Sequence, residues 1–510
     1  MKLELLDTTL RDGEQTAGVS FTTAEKLNIA KLLLSELNID RIEIASARVS
    51  EGEFEGARKI IEWAREMGWA RRVEILGFVD DGVSIDWISS AGGQVINLLT
   101  KGSLRHCEKQ LKKTPAEHTE DVVNNIVAAV DHGLEVNVYL EDWSNGMRDS
   151  PQYVYDLVAA IATTPAKRIM LPDTLGILNH EETARFCKEM ITRFPNVHFD
   201  FHAHNDYDLA VANVFEAVKM GVKGIHTTLN GLGERAGNVP LSSVLGILND
   251  HLGIKTNVDE TRLYKVSKVV ETFSGIRIPQ NKPLIGEFVF TQTSGIHADG
   301  DSKDKLYQTM LEPTRFGRNY SYALGKLSGK SNIQKNLEEL GIHLSKSDMR
   351  LVTDRIIELG DRKESITQED LPYIINDVLG NNGQETTVEI LNYSLSTAKG
   401  LKSSATVSVA IDGIVQEQTA AGDGQYDAFV NALSEIYQRL GRTFPRLTDY
   451  EVHIPPGGNT DALVLTTITW NQEGHIFKTK GLDCDQTVAA IKATTRMLNI
   501  IERKVKVHEF

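Results

Sequence analysis

Over its first 255 or so residues the chain alternates eight strand-like runs with helix-like runs, and no other feature of the sequence constrains the fold as much. The runs read LELLDTT, RIEIAS, VEILGFV, VINLLTKG, EVNVYLED, RIMLPDT, HFDFHAHN and GIHTTLNG, beginning near residues 3, 41, 73, 95, 135, 168, 198 and 224. Between them lie amphipathic segments such as HEETARFCKEMITRF and TTAEKLNIAKLLLSEL, the latter opening with Thr22 and Glu25 at capping-box spacing. Eight βα units in about 250 residues predict a closed (β/α)8 TIM barrel of the α/β class. A doubly wound sheet is the runner-up, but no GxGxxG follows the first strand to support its dinucleotide-binding form.

Beyond the barrel the pattern changes twice. Residues 256–384 carry helical periodicities, as in VDETRLYKVSKVVETF and KSDMRLVTDRIIELGDRK, and predict a connector of small helical subdomains. One polar connection there, SGIHADGDSKDKLY, reads as a lid. Residues 385–510 hold an internal repeat: TVEILNYSL and ATVSVAIDG lead to GDGQYDAFVNALSEIYQRL, then DYEVHIPP and ALVLTTITW lead to GLDCDQTVAAIKATTRMLN. Two strand-rich units, each closed by one helix, predict a pseudo-twofold α+β module that serves either as a ligand site at the seam or as a dimerisation surface.

Charge and composition narrow the function classes. The formal net charge is -15, and the basic residues are dispersed, so nucleic acid is not an expected partner. No run approaches the roughly 18 apolar residues of a membrane span. The N-terminus lacks a signal-peptide pattern, and Cys107, Cys187 and Cys484 are too far apart for a disulfide framework or a CxxC metal site. A reducing cytoplasm is the expected compartment.

A barrel places its chemistry at the C-terminal ends of the strands, where this chain is dense in polar residues. His202 and His204 are two apart on a strand, so both imidazoles point to one face. With Asp12 after strand one and Asn238 after strand eight they form an N2O2 set suited to divalent Zn, Mn or Mg. Arg11, beside Asp12, is placed to neutralise an enolate or polarise a keto oxygen. Glu141 reads as a partner that orients Arg11, a proton carrier, or a structural ion-pair partner. Thr174 reads either as a donor to a substrate carboxylate or as a turn residue. GLGERAG is a tight turn whose glycines would also let backbone approach a CoA-type substrate.

Together DTTLRDGEQ, HAHND, NGLGERAGN and GIHADG, with the tandem C-terminal module, resemble the 2-isopropylmalate, homocitrate and citramalate synthase family of metal-dependent barrels. The resemblance implies a Claisen condensation of acetyl-CoA with a 2-oxo acid, followed by thioester hydrolysis, in branched-chain amino-acid biosynthesis. It also implies a homodimer whose C-terminal domain binds the end-product amino acid. Carried onto matching positions, Asp12, His202 and His204 hold the metal with Asn238 close by. Arg11 stabilises the enolate and the keto oxygen, and Thr174 and the metal hold the 2-oxo acid's carboxylate. Glu141 and His297 serve deprotonation of acetyl-CoA, with Asp299 and Tyr307 beside His297.

Leu76, Leu99 and Tyr139 are bulkier than the usual isopropylmalate synthase pattern and resemble citramalate synthase, whose 2-oxo acid is pyruvate. By the same resemblance Tyr426, Asp427, Leu447, Tyr450, Ile454, Val464 and Gln486 are the candidates for the regulatory site. Isoleucine is the expected effector for a citramalate synthase, and leucine for an isopropylmalate synthase. Two other classes compete. A hydroxymethylglutaryl-CoA lyase would need a glycine-cysteine loop at the rim, where no cysteine of this chain is expected, and a non-catalytic sensor would not need Arg11, Asp12, His202, His204 and His297.

Overall fold

The computed structural model describes residues 3–307, 309–361, 366, 368–379, 388–453 and 464–508. The chain divides into two units, one spanning Met1–Gln292 with Gly300–Ser321, the other Thr293–Asp299 with Tyr322–Phe510. The first unit contains the barrel. Strands β1 (Glu4–Asp7), β2 (Arg41–Ser46), β3 (Val73–Phe78), β4 (Val95–Lys101), β5 (Glu135–Glu141), β6 (Arg168–Asp173), β7 (Phe199–Ala203) and β8 (Gly224–Thr227) pair in chain order, all parallel. Closure between β1 and β8 sets Glu4 opposite Gly224 and Asp7 opposite Thr227. The expected TIM barrel is therefore present, and the closed strand order excludes the doubly wound alternative.

Strand alternation sorts the side chains into two populations. Ile42, Ile44, Ile75, Ile96, Leu98, Val136, Val138, Phe199 and Phe201 join Ile29, Leu33, Ile60 and Ile61 of the surrounding helices in one large apolar core. Those helices are firmly started. Thr22 and Glu25 form the expected capping box, and Asn179 caps Gln-free helix His180–Arg193 through the Glu182 N–H. The opposite set of side chains fills the barrel interior in layers. A charged floor holds Arg41 against Glu74 at 2.8 Å, Asp200 at 2.5 Å and Glu4 at 3.3 Å. Above it lies an apolar layer of Leu6, Leu76, Tyr139 and Met170, with Leu99 packed against it. The helix Leu263–Ser274 buries Leu263, Val266 and Val270 in the same outer core as the barrel helices.

The second unit contains the predicted repeat. Strands β9 (Val388–Ser396), β10 (Ser403–Ile411) and β11 (Ile414–Gly422) form an antiparallel sheet followed by the helix Gln425–Arg439. Strands β12 (Arg446–His453), β13 (Val464–Gln472) and β14 (His475–Asp483) repeat the plan before the helix Gln486–His508. The copies agree in an irregularity too: each first strand shifts register once, between Ile390 and Asn392 and between Leu447 and Asp449. Val407, Val409, Phe429, Leu433, Ile468, Trp470 and Met497 draw one apolar core from both halves. A separate cluster of Ile333, Leu337, Val352 and Ile356 packs helices Lys330–Glu339 and Lys346–Asp361. No helix among the described residues is long and apolar enough to cross a membrane.

Gly224 carries the floor's tightest constraint. A Cβ there would sit 2.0 Å from Asp200 Oδ1, on a carboxylate already pinned by Arg41. Gly224→Ala is expected to destabilise the barrel by about 1–3 kcal/mol, the usual cost of overpacking. Chemical denaturation should show the loss as a lower midpoint, and an unchanged midpoint would mean the floor is softer than its geometry indicates.

Candidate active site

The turn after β1 delivers Arg11 and Asp12 to the barrel mouth. Arg11 donates from Nε to Glu43 Oε2 at 2.6 Å and from Nη1 to Asp12 Oδ2 at 2.8 Å, and its Nη2 lies 3.4 Å from the Tyr139 hydroxyl. Glu43, fully buried on β2, also accepts from Thr8 Oγ1 at 2.8 Å and Asn97 Nδ2 at 2.7 Å. Burial pulls the Arg11 guanidinium's pKa down, but Glu43 and Asp12 more than offset it and hold the group charged. The partner that orients Arg11 is thus Glu43. Glu141 instead pairs with Lys101, one strand away on β4.

Strand β7 carries His202 and delivers His204 just past its end, and their Nε2 atoms face each other at 3.3 Å. Asp12 Oδ2 lies 3.5 Å from one and 3.8 Å from the other. Asn238 donates to Asp12 Oδ1 at 2.8 Å, which leaves the second carboxylate oxygen to the imidazoles, while its own Oδ1 is buried without a hydrogen-bond partner. Burial pushes both imidazoles below their usual range despite the neighbouring carboxylate. Burial raises Asp12, but Arg11, the two imidazoles and Asn238 outweigh it and hold the group well below the usual carboxylate range. Two imidazole nitrogens and a carboxylate oxygen therefore converge on one point, a donor set suited to a divalent cation. The ligand atoms lie within 4.8 Å of one another, and mixed nitrogen and oxygen donors accommodate Zn, Mn or Mg.

Beside this cluster is a cavity of about 220 Å³ whose lining includes Arg11, Asp12, Glu141, Thr174, His202 and His204. Its apolar wall contains the predicted Leu76, Leu99 and Tyr139, together with Phe78 and Pro172. Thr174 Oγ1 accepts the Asp142 N–H at 2.9 Å, which leaves its own hydroxyl hydrogen available to a ligand. The strand-end reading did not select Glu43, Lys101, Phe78 or His226, although the inward phase of the strand alternation marks each of them.

The remaining candidates lie elsewhere in the chain. His297 and Asp299 are on the helix Gly295–Asp304, and Tyr307 follows it, its N–H donating to Asp301 Oδ1 at 2.8 Å. In the second unit the seam between the repeats joins Tyr426 to Tyr450, ring centroids 5.4 Å apart, and to Thr494, whose Oγ1 is 2.7 Å from the Tyr426 hydroxyl. Leu447 packs against the core of that unit, and Val464 is buried on β13. Asp427 is exposed, and its Oδ2 accepts the Asp423 N–H at 2.8 Å, so this carboxylate helps to start its own helix. Gln486 is exposed at the start of the last helix, and Ile454 lies outside the described residues.

Comparison with known proteins covers nearly the whole chain. A family model described as HMGL-like matches residues 2–270, one described as homocitrate synthase post-HMGL domain-like matches 284–364, and the LeuA allosteric (dimerisation) domain matches 365–502. The chain is 34% identical to the 2-isopropylmalate synthase of Pyrococcus furiosus, over 98% of this chain and 99% of the relative. It is 32% identical to the (R)-citramalate synthase of Methanocaldococcus jannaschii, over 98% and 100%. The 2-isopropylmalate synthase of that organism is also 32% identical, over 99% and 95%.

The converging donors generate a direct prediction. His204→Ala removes one of the three converging donors and is expected to weaken divalent-cation binding by more than the roughly 10–100-fold that loss of an outer-shell partner costs. Titration calorimetry with Mn or Zn salts checks it. Undiminished affinity would place the cation elsewhere.

Proposed function

Since the chain belongs to the family that contains the (R)-citramalate and 2-isopropylmalate synthases, we propose that it condenses acetyl-CoA with a 2-oxo acid, that this acid is pyruvate, and that citramalate and CoA are released after thioester hydrolysis. The observation that carries the choice of pyruvate is the wall of Leu76, Leu99 and Tyr139 beside Arg11 and the histidine pair. Three bulky side chains on that wall support a methyl-sized substituent on the 2-oxo acid rather than an isopropyl group. The competing substrate is 2-oxoisovalerate, because relatives of both specificities stand at comparable identity.

In this reading the carboxylate of the 2-oxo acid takes a hydrogen bond from Thr174, and its keto oxygen faces Arg11. A divalent cation held by Asp12, His202 and His204 would add Lewis acidity at that oxygen. Glu141, anchored by Lys101, removes a proton from the acetyl methyl with His297 assisting, and Asp299 and Tyr307 support His297. The carbanion attacks the keto carbon, and Arg11 meets the negative charge that builds on oxygen. Glu43 holds the guanidinium in place, so this stabilisation needs no reorganisation during the reaction. The second unit supplies a homodimer and a regulatory site at its seam, with isoleucine as effector and Tyr426 and Tyr450 as the central contacts. The reaction fits a cytoplasmic biosynthetic enzyme.

Thiol release from acetyl-CoA with each 2-oxo acid separates the two substrates: pyruvate should give the higher specificity constant, and a higher value for 2-oxoisovalerate would sink the assignment. Arg11→Ala should lower kcat by at least about 10²–10³-fold, the scale for losing one preorganised charge stabiliser. The same full-length variant should bind isoleucine with unchanged affinity, and retained turnover would remove Arg11 from its assigned role.

A further inference from the structure

The barrel interior contains a hydrogen-bonded line that the proposed reaction does not use directly. Tyr139 OH lies 2.9 Å from His226 Nδ1 on β8. His226 Nε2 lies 3.2 Å from Asp200 Oδ2 on β7, and that same oxygen accepts from Arg41 Nη2 at 2.5 Å in the charged floor. Tyr139, His226 and Asp200 are 2%, 1% and 0% exposed, so water does not compete for these bonds. The same carboxylate is also met by His198, whose Nε2 lies 3.0 Å from Oδ1, so Asp200 is held from several sides.

His226 bridges the two, one ring nitrogen on the Asp200 carboxylate and the other on the Tyr139 hydroxyl. The Tyr139 hydroxyl is met on its other side by Arg11 Nη2 at 3.4 Å and Glu43 Oε2 at 3.5 Å. The ring is also clamped edge-on, 5.4 Å from the His226 ring and 6.0 Å from the His202 ring. A tyrosine held at both its ring and its hydroxyl cannot swing to enlarge the cavity it lines.

We propose that Asp200 and His226 are positioning residues that lock Tyr139 against the barrel floor and so set the size limit for the 2-oxo acid. The proposal rests on the assignment of Tyr139 to the 2-oxo acid pocket made above. Freed of its anchor, the phenol ring can turn, the cavity accepts a longer side chain, and Arg11 loses a neighbour that helps to orient it. The line acts through Tyr139 and touches no reacting atom.

The test is a double-mutant cycle on the full-length enzyme, with steady-state kinetics on pyruvate and on 2-oxobutanoate, one methylene longer. His226→Phe keeps the ring and removes both hydrogen-bonding nitrogens. It should raise KM for pyruvate about tenfold with kcat changed less than about threefold, and cut the preference for pyruvate about tenfold, the usual discrimination for one methylene. Tyr139→Phe should reproduce that shift, and adding His226→Phe to it should change nothing more. His226→Gln, whose amide can accept from Tyr139 and donate to Asp200, should keep the preference within about threefold of wild type. Bound metal is measured alongside and should match wild type, and cooperative thermal unfolding of each variant shows that it is folded. An unchanged preference in His226→Phe, an equal further shift on the Tyr139→Phe background, or a loss of metal in step with the loss of preference would each overturn the relay. If His226→Phe does not fold, the comparison of His226→Gln with Tyr139→Phe decides, since a Gln variant as permissive as Tyr139→Phe contradicts the lock. The wild-type substrate profile separately tests the pyruvate reading: should 2-oxoisovalerate prove the better substrate, that reading fails, while the cycle run with that acid still decides the relay.

Discussion

The contact between Arg11 and Glu43 is the one on which the rest of the site depends. A guanidinium drawn into the barrel mouth must be compensated, and Glu43 does so from a fully buried position on a different strand. Removing one partner from such a buried pair costs about 3–5 kcal/mol, because the other is left charged and unpaired. The pair in turn sets Asp12, which Arg11 grips through Nη1, and Asp12 sets the point at which a cation held with His202 and His204 would sit. One buried carboxylate thus fixes the positions of both positive centres that a 2-oxo acid would meet.

Much of this architecture was legible from the chain alone. Strand alternation in HFDFHAHN put His202 and His204 on one face, and the structure places Asp12 and Asn238 with them. Leu76, Leu99, Tyr139, Glu141 and Thr174 meet in one cavity because all five stand at or near strand ends, which a barrel gathers at its mouth. The partners of these residues were harder to see. Glu43 meets Arg11, His226 meets Tyr139 and Thr494 meets Tyr426 through closure of the barrel and docking of the repeats. Linear spacing carries no record of which residues end up facing each other across β5 and β8, because that depends on register summed around the whole barrel.

The second unit shows what repetition preserves. The two halves keep sheet order and a single register shift in the first strand, while their seam is asymmetric: Tyr426 enters from the first helix and Thr494 from the second. Asp427 illustrates how a sequence-level candidate divides between roles, since a carboxylate engaged by a main-chain N–H is a helix-start device whether or not it also meets a ligand. Any coupling of this seam to the barrel requires two states of the chain that bind an effector differently.

Layering inside the barrel also bears on how such an enzyme changes substrate. Where catalysis is confined to the mouth and selectivity to the apolar layer below, wall residues can be exchanged without disturbing the chemistry. Here Tyr139 belongs to both: its ring forms the wall, and its hydroxyl joins Arg11 above to His226 and the Arg41 floor beneath. Replacing it with a smaller residue to admit a larger 2-oxo acid would also leave a His226 ring nitrogen unpartnered in a dry interior, at roughly 1–3 kcal/mol for the unpaired group. Leu76 and Leu99 have no polar atom to leave unpaired, so they are the positions at which this barrel can widen at least cost to the chemistry above.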